Sequence, residues 1–213
     1  MLRFTQVAMA VAGKDLRAEL RTRELIPALV QFAVLALVIS NFAFDINAQS
    51  GTQAASGILW LVLVFAGLVA FGRTFATEQE SLEQMLLTSA GAAPIFAGKA
   101  LAAAAGLVAL EIVLLPGMAI LLGLPLSVQA VAAALLATVG ISALGVLFAA
   151  LAARTRVREL LLPVLALPLW VPFIVTGTKA VEAGSNQALL RLAVLDILFL
   201  IVSALAAGFV LDD

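Results

Sequence analysis

The residues able to do chemistry are few in this chain, and they sit in a handful of places. Histidine, cysteine and tyrosine are all absent, which removes the commonest metal ligand, the thiolate nucleophile and the commonest general base together. Three glutamates, Glu78, Glu80 and Glu83, fall within six residues of one another in the stretch TEQESLEQMLLTSAG, residues 77–91. Glu111 and Asp196 stand inside apolar runs, Asp196 five residues beyond Arg191. Lys99 closes the stretch AAPIFAGK, which approaches a phosphate-binding loop. It has Ala93 at the motif's first glycine, however, and Ala100 where a Ser or Thr would meet Mg²⁺. No ATP site is therefore expected from this chain itself. A hydrolytic centre is not legible either, because a zinc motif or a Ser–His pair needs histidine. The candidates for an aspartyl pair, Asp45 and Asp196, have no glycine-rich signature beside them. The chain reads as non-catalytic.

The elements that must position these groups are set by lipid. Of the 213 residues, 64% are hydrophobic and 12% charged, with a mean hydropathy of +1.18. A soluble domain carries about 25% charged residues, so the bilayer is the expected solvent. Residues 1–213 read as one all-α integral membrane domain with six spans, at about 26–44, 57–76, 98–123, 128–152, 160–177 and 189–211. Basic residues orient them. With the amino terminus inside, the inner side collects Arg3, Lys14, Arg17, Arg21, Arg23, Arg73, Lys99, Arg154, Arg156 and Arg158, and the outer side keeps Lys179 and Arg191. Both termini are then cytoplasmic. The near-neutral net charge of −1 points away from nucleic acid.

Residues 1–25 read as an amphipathic helix lying on the inner membrane face. Phe4, Val7, Ala8 and Val11 share its apolar side, and Lys14, Arg17 and Arg21 supply a basic side suited to anionic lipid. The fourth span carries small residues, Ala133, Ala137, Gly145, Ala149 and Ala153, at steps that permit close helix packing. The fifth holds Pro163, Pro168 and Pro172, so a kinked or broken helix is expected there.

Thr77 and Glu80 form a capping box that starts a short cytoplasmic helix where span two ends. Leu82, Met85, Leu86 and Ser89 share one of its faces, and Glu80, Glu83 and Gln84 the other; Gly91 and Pro94 end it. An acidic face at the inner surface is repelled by anionic lipid, so it suits a protein partner. Glu111 and Asp196, with Arg191, are the candidate intramembrane functional charges, because ionisable groups in a bilayer are costly. Glu111 lies about 18 Å along the helix from Lys99, with Pro116 one and a half turns later. Bonding of Glu111 to a neighbouring helix, and snorkelling of Arg191 to the outer headgroups, are the structural alternatives.

The order of these pieces resembles the haem exporter protein B (CcmB) family of the cytochrome c maturation system, membrane subunits of an ABC transporter. The matching stretches are KDLRAELRTRELI (14–26), SLEQMLLTSAG (81–91) with AGKAL (97–101), and LLPVLALPLWVPFIVTGT (161–178). The resemblance implies a separate soluble ATPase subunit, two copies of the membrane subunit, a further haem-handling membrane protein, and residence in the bacterial inner membrane. It also implies that Glu78, Glu80, Ser81, Leu82, Glu83, Gln84, Met85 and Leu86 form the coupling helix that docks on the ATPase. ATP would act through the partner, and haem is the implied cargo, with no cofactor bound directly. Of the haem ligands His, Cys, Met and Tyr, this chain has only methionines, and only Met118 lies within a span. Axial haem ligation by this subunit is therefore not expected. A proton-coupled secondary transporter using Glu111 and Asp196 is the alternative from another class.

Overall fold

A chain that must satisfy its backbone without water has helices as its simplest solution, and helices are what form. The computed structural model describes residues 2–43, 51–74, 92–153, 155 and 158–212. Among the described residues there are seven helices and no strand: α1 Leu2–Thr22, α2 Leu25–Ala43, α3 Gly51–Thr74, α4 Ala92–Leu122, α5 Val128–Ala153, α6 Arg158–Ala183 and α7 Asn186–Asp212. Six of them, α2 to α7, are long and apolar enough to cross a membrane. The expected count and order of spans therefore stand.

Several helices run beyond the apolar stretches that announce them. α3 begins at Gly51 rather than near 57, α4 at Ala92 rather than near 98, and α6 continues to Ala183 rather than stopping near 177. Alanines favour helix through 54–55 and 92–93. Pro94 falls in the first turn of α4, where its missing N–H has no intrahelical acceptor to forgo. α6 is unbroken through Pro163, Pro168 and Pro172, so of the kink or break expected there the break does not occur. Two serines cap the first turns of α5 and α7: the Ala130 N–H donates to Ser127 Oγ at 3.0 Å, and the Ala188 N–H to Ser185 Oγ at 3.3 Å.

α5 is the centre of the bundle, with α3, α4, α6 and α7 packed on it. Its buried positions are mostly small, including Ala130, Ala133, Ala134, Ala137, Gly140 and Ala143. Small side chains let neighbouring backbones approach, which is how helices associate when lipid removes the hydrophobic driving force. The large residues come from the neighbours: Trp60 and Phe71 on α3, and Trp170 and Phe173 on α6, are all buried. The Phe71 and Trp170 rings meet tilted, with centroids 5.8 Å apart. α2, α6 and α7 are peripheral and turn residues such as Phe42, Val164 and Ile197 outward, as a lipid-facing surface requires.

Candidate functional site

The acidic segment expected to dock a partner, Glu78, Glu80, Ser81, Leu82, Glu83, Gln84, Met85 and Leu86, lies outside the described residues, as does its cap at Thr77. The helices on either side of it are described: α3 ends at Thr74 and α4 begins at Ala92.

The described part of the site is built around α1. Ala8, Val11 and Ala12 form a buried stripe on α1, with Asp15 following one turn later. The stripe packs on α4. Gly98 makes the approach possible, because any Cβ there would lie 2.6 Å from the Ala8 carbonyl oxygen and 2.6 Å from Val11 Cβ. This modifies the expectation that α1 lays its apolar side on lipid. Ala8 and Val11 are committed to protein, while Phe4, Met9 and Leu20 remain exposed. Arg17 and Arg21 are exposed too, on a helix that sits against the bundle.

Beside the glycine, Lys99 is 1% exposed. Its Nζ donates to Asp15 Oδ2 at 3.3 Å and to the Thr74 carbonyl oxygen at 3.4 Å. A buried ammonium is costly unless paired. Here it meets a carboxylate and the last carbonyl of α3, the negative end of that helix dipole. Lys14 also stands 3.8 Å from Asp15 Oδ1.

Farther along, Glu19 Oε1 accepts the Leu25 and Ile26 N–H groups at 2.8 and 2.9 Å, so a side chain of α1 caps α2. Arg23 makes the intervening turn at φ 52°, its N–H donating to the Glu19 carbonyl at 2.7 Å. Glu24 pairs with Arg73 at the end of α3, both side chains being largely exposed. The end of α1, the start of α2, the end of α3 and the first turns of α4 thus form one polar assembly. In the sequence Lys99 stands out only as part of a failed nucleotide motif. A lone cation just inside an apolar run is the signal that it needs a partner.

Within the membrane, Glu111 is 2% and Asp196 4% exposed. Thr138 Oγ1 donates to Glu111 Oε1. Glu111 Oε2 and both Asp196 oxygens have no hydrogen-bond partner among the described residues. Asp196 Oδ1 and the Phe173 ring crowd the space above Gly140, where a Cβ would collide with both. Thr138 and Gly140 are two residues apart, about 200° around α5 at 3.6 residues per turn. The two carboxyls therefore engage different sides of the central helix, and no hydrogen bond joins them. Arg191 is exposed and forms no ion pair with Asp196, in keeping with a side chain that reaches the outer headgroups. Met118 is wholly buried in the apolar core. No group of three or more His, Cys, Asp or Glu residues able to hold a metal is found among the described residues.

The whole arrangement has relatives. Residues 6–211 match the family described as CcmB protein. The chain is similar to "Heme exporter protein B" of Rhodobacter capsulatus, with 32% identity over 182 residues covering 83% of each chain. It is similar to the protein of the same description from Pseudomonas aeruginosa, 32% identical over 203 residues, 88% of this chain and 89% of the relative. The Bradyrhizobium diazoefficiens relative, also described as "Heme exporter protein B", is 33% identical over 180 residues, 82% of this chain and 80% of the relative.

Proposed function

Because this chain belongs to the CcmB family and is a multi-pass membrane protein, we propose that it is the non-catalytic membrane subunit of an ABC transporter for cytochrome c biogenesis. A separate soluble ATPase docks on residues 78–86, and its cycle drives either haem export or the release of a haem-loaded chaperone on the outer side. Two copies of the chain form the membrane unit, in the bacterial inner membrane, beside a haem-handling membrane protein of the same system.

One observation supports this reading most. The polar assembly where α1 to α4 meet takes in Thr74, the last described residue before the acidic segment, whose carbonyl receives Lys99. A docking element needs a rigid base if a partner's motion is to reach the membrane, and the ion-paired contacts of this assembly meet that need. Haem is handled without axial ligation by this subunit, since Met118, the sole methionine inside a span, is packed in the core. The proton-driven alternative has less support. Glu111 and Asp196 face different sides of α5 and share no hydrogen bond, so they do not form a relay with each other.

The test is a detergent pull-down from native membranes, comparing wild type with a Glu83→Lys plus Leu86→Asp variant and assaying ATP hydrolysis in the eluate. An ATPase that accompanies wild type and is lost from the variant supports docking on this segment. Its absence from a folded wild-type preparation refutes the reading.

A further inference from the structure

Docking of an ATPase on residues 78–86 does not by itself explain why a lysine 1% exposed, held by two other helices, stands at the base of the segment. We propose that Lys99, with Asp15, is a positioning residue that fastens α1 to the end of α3, where the docking segment begins, and to α4 about two turns after its start. α1 then moves with the two helices that flank that segment. This inference rests on the reading of the docking segment given above.

The geometry supports this in three steps. Lys99 Nζ lies 3.4 Å from the carbonyl oxygen of Thr74, so the end of α3 rests against Lys99 of α4. The same ammonium reaches Asp15 Oδ2 at 3.3 Å, and the adjacent Gly98 admits Ala8 and Val11 so closely that α1 cannot slide past α4 without breaking the contact. From there Glu19 caps α2 through the Leu25 and Ile26 N–H groups. A displacement at the base of the segment is thereby passed to α1 and on to the first span.

Stability alone does not account for the pair. A buried ion pair adds little to stability over an apolar pair of the same volume, whereas removing one partner strands the other charge. What the pair supplies is a fixed register between three helices, which apolar packing specifies less sharply. Two of the stretches on which the family resemblance rests, KDLRAELRTRELI and AGKAL, meet in this one contact.

The experiment uses the full complex in its membrane and two independent readouts. The chain has no cysteine, so Ala12→Cys, on the buried stripe, gives a single label site for a membrane-impermeant maleimide applied to inside-out vesicles. Lys99→Met is expected to raise its labelling rate at least tenfold, and Lys99→Arg to leave it within about twofold. With ATPase co-purification unchanged, cytochrome c matured per ATP hydrolysed is expected to fall at least tenfold in Lys99→Met and to stay above half in Lys99→Arg. Asp15→Asn, on a side chain 19% exposed, is carried alongside and is judged by the same two readouts should Lys99→Met fail to accumulate. Unchanged labelling overturns the fastening. Faster labelling with unchanged output per ATP overturns the positioning role. Absence of an ATPase from the wild-type complex overturns the docking reading and this proposal with it, and is recognised because wild type itself fails.

Discussion

Replacing Thr138 by valine removes a hydroxyl and keeps the shape, so it isolates one hydrogen bond at the centre of the bundle. In the wild type Thr138 satisfies one oxygen of Glu111, whose other oxygen has no partner among the described residues, at a site 2% exposed. Valine would leave both oxygens without a donor. An unsatisfied buried acceptor costs about 1–3 kcal/mol, and interhelical bonds in membrane proteins fall at the lower end, about 0.6 on average and up to about 1.7. The expected cost of Thr138→Val is therefore about 1–2 kcal/mol. In a Glu111→Leu background no carboxyl remains to be stranded, and the same substitution should be close to neutral. The cycle of wild type, two single variants and the double variant, measured by reversible unfolding in mixed micelles, should show a coupling of about 1 kcal/mol or more. Additivity within about 0.3–0.5 kcal/mol, the ordinary result for independent sites, would refute the claim that this bond ties α4 to α5.

Two further outcomes test the inner assembly. Gly98→Leu places a side chain where 2.6 Å separates the would-be Cβ from Ala8 and Val11; overpacking of this kind costs about 1–3 kcal/mol, and α1 should become cleavable by protease added to inside-out vesicles while α2 to α7 stay protected. Glu19→Ala deletes the acceptor for two N–H groups at the start of α2 and should cost about 0.5–2 kcal/mol, the range of a lost helix cap. Arg73→Ala, which breaks only the exposed pair with Glu24, should cost about 0–1 kcal/mol. Thermal unfolding in detergent ranks the two, and the reverse order would contradict the assignment.

Most of the architecture was legible because a bilayer imposes one pattern. The six apolar runs marked six helices, and the small residues of the fourth marked a closely packed one, which the fold places at the centre. Hydropathy reports the hydrocarbon layer, however, and not the helix. Hence α3, α4 and α6 outrun the stretches expected for them, through alanines at the starts of α3 and α4 and through exposed Lys179 and Glu182 at the end of α6. Three prolines suggested a kink or a break in α6, and the helix runs on through all three. The Asp15–Lys99 contact spans 84 positions, beyond any local pattern, and the missing Cβ of Gly98 announces a close approach without naming what approaches. For the same reason the sequence points α1 to lipid when its tightest face belongs to α4. The paired engagement of α5 by Glu111 and Asp196 was invisible because each carboxyl reads, in sequence, as a lone charge in a greasy run.

The position of α5 in the chain bears on how the protein is made. Synthesis delivers α1 to α4 first, so Glu111 enters the membrane before the hydroxyl of Thr138 exists to meet it. Until then its carboxyl must be borne by the insertion machinery or by water drawn in beside it. α6 and α7 follow, and the alanine and glycine surface of α5 is the one both are laid against. A nascent chain cut short before Val128 therefore has neither the donor for Glu111 nor the seat for the last two helices. The fifth helix divides the life of the chain into a stage that needs a guardian and a stage that does not.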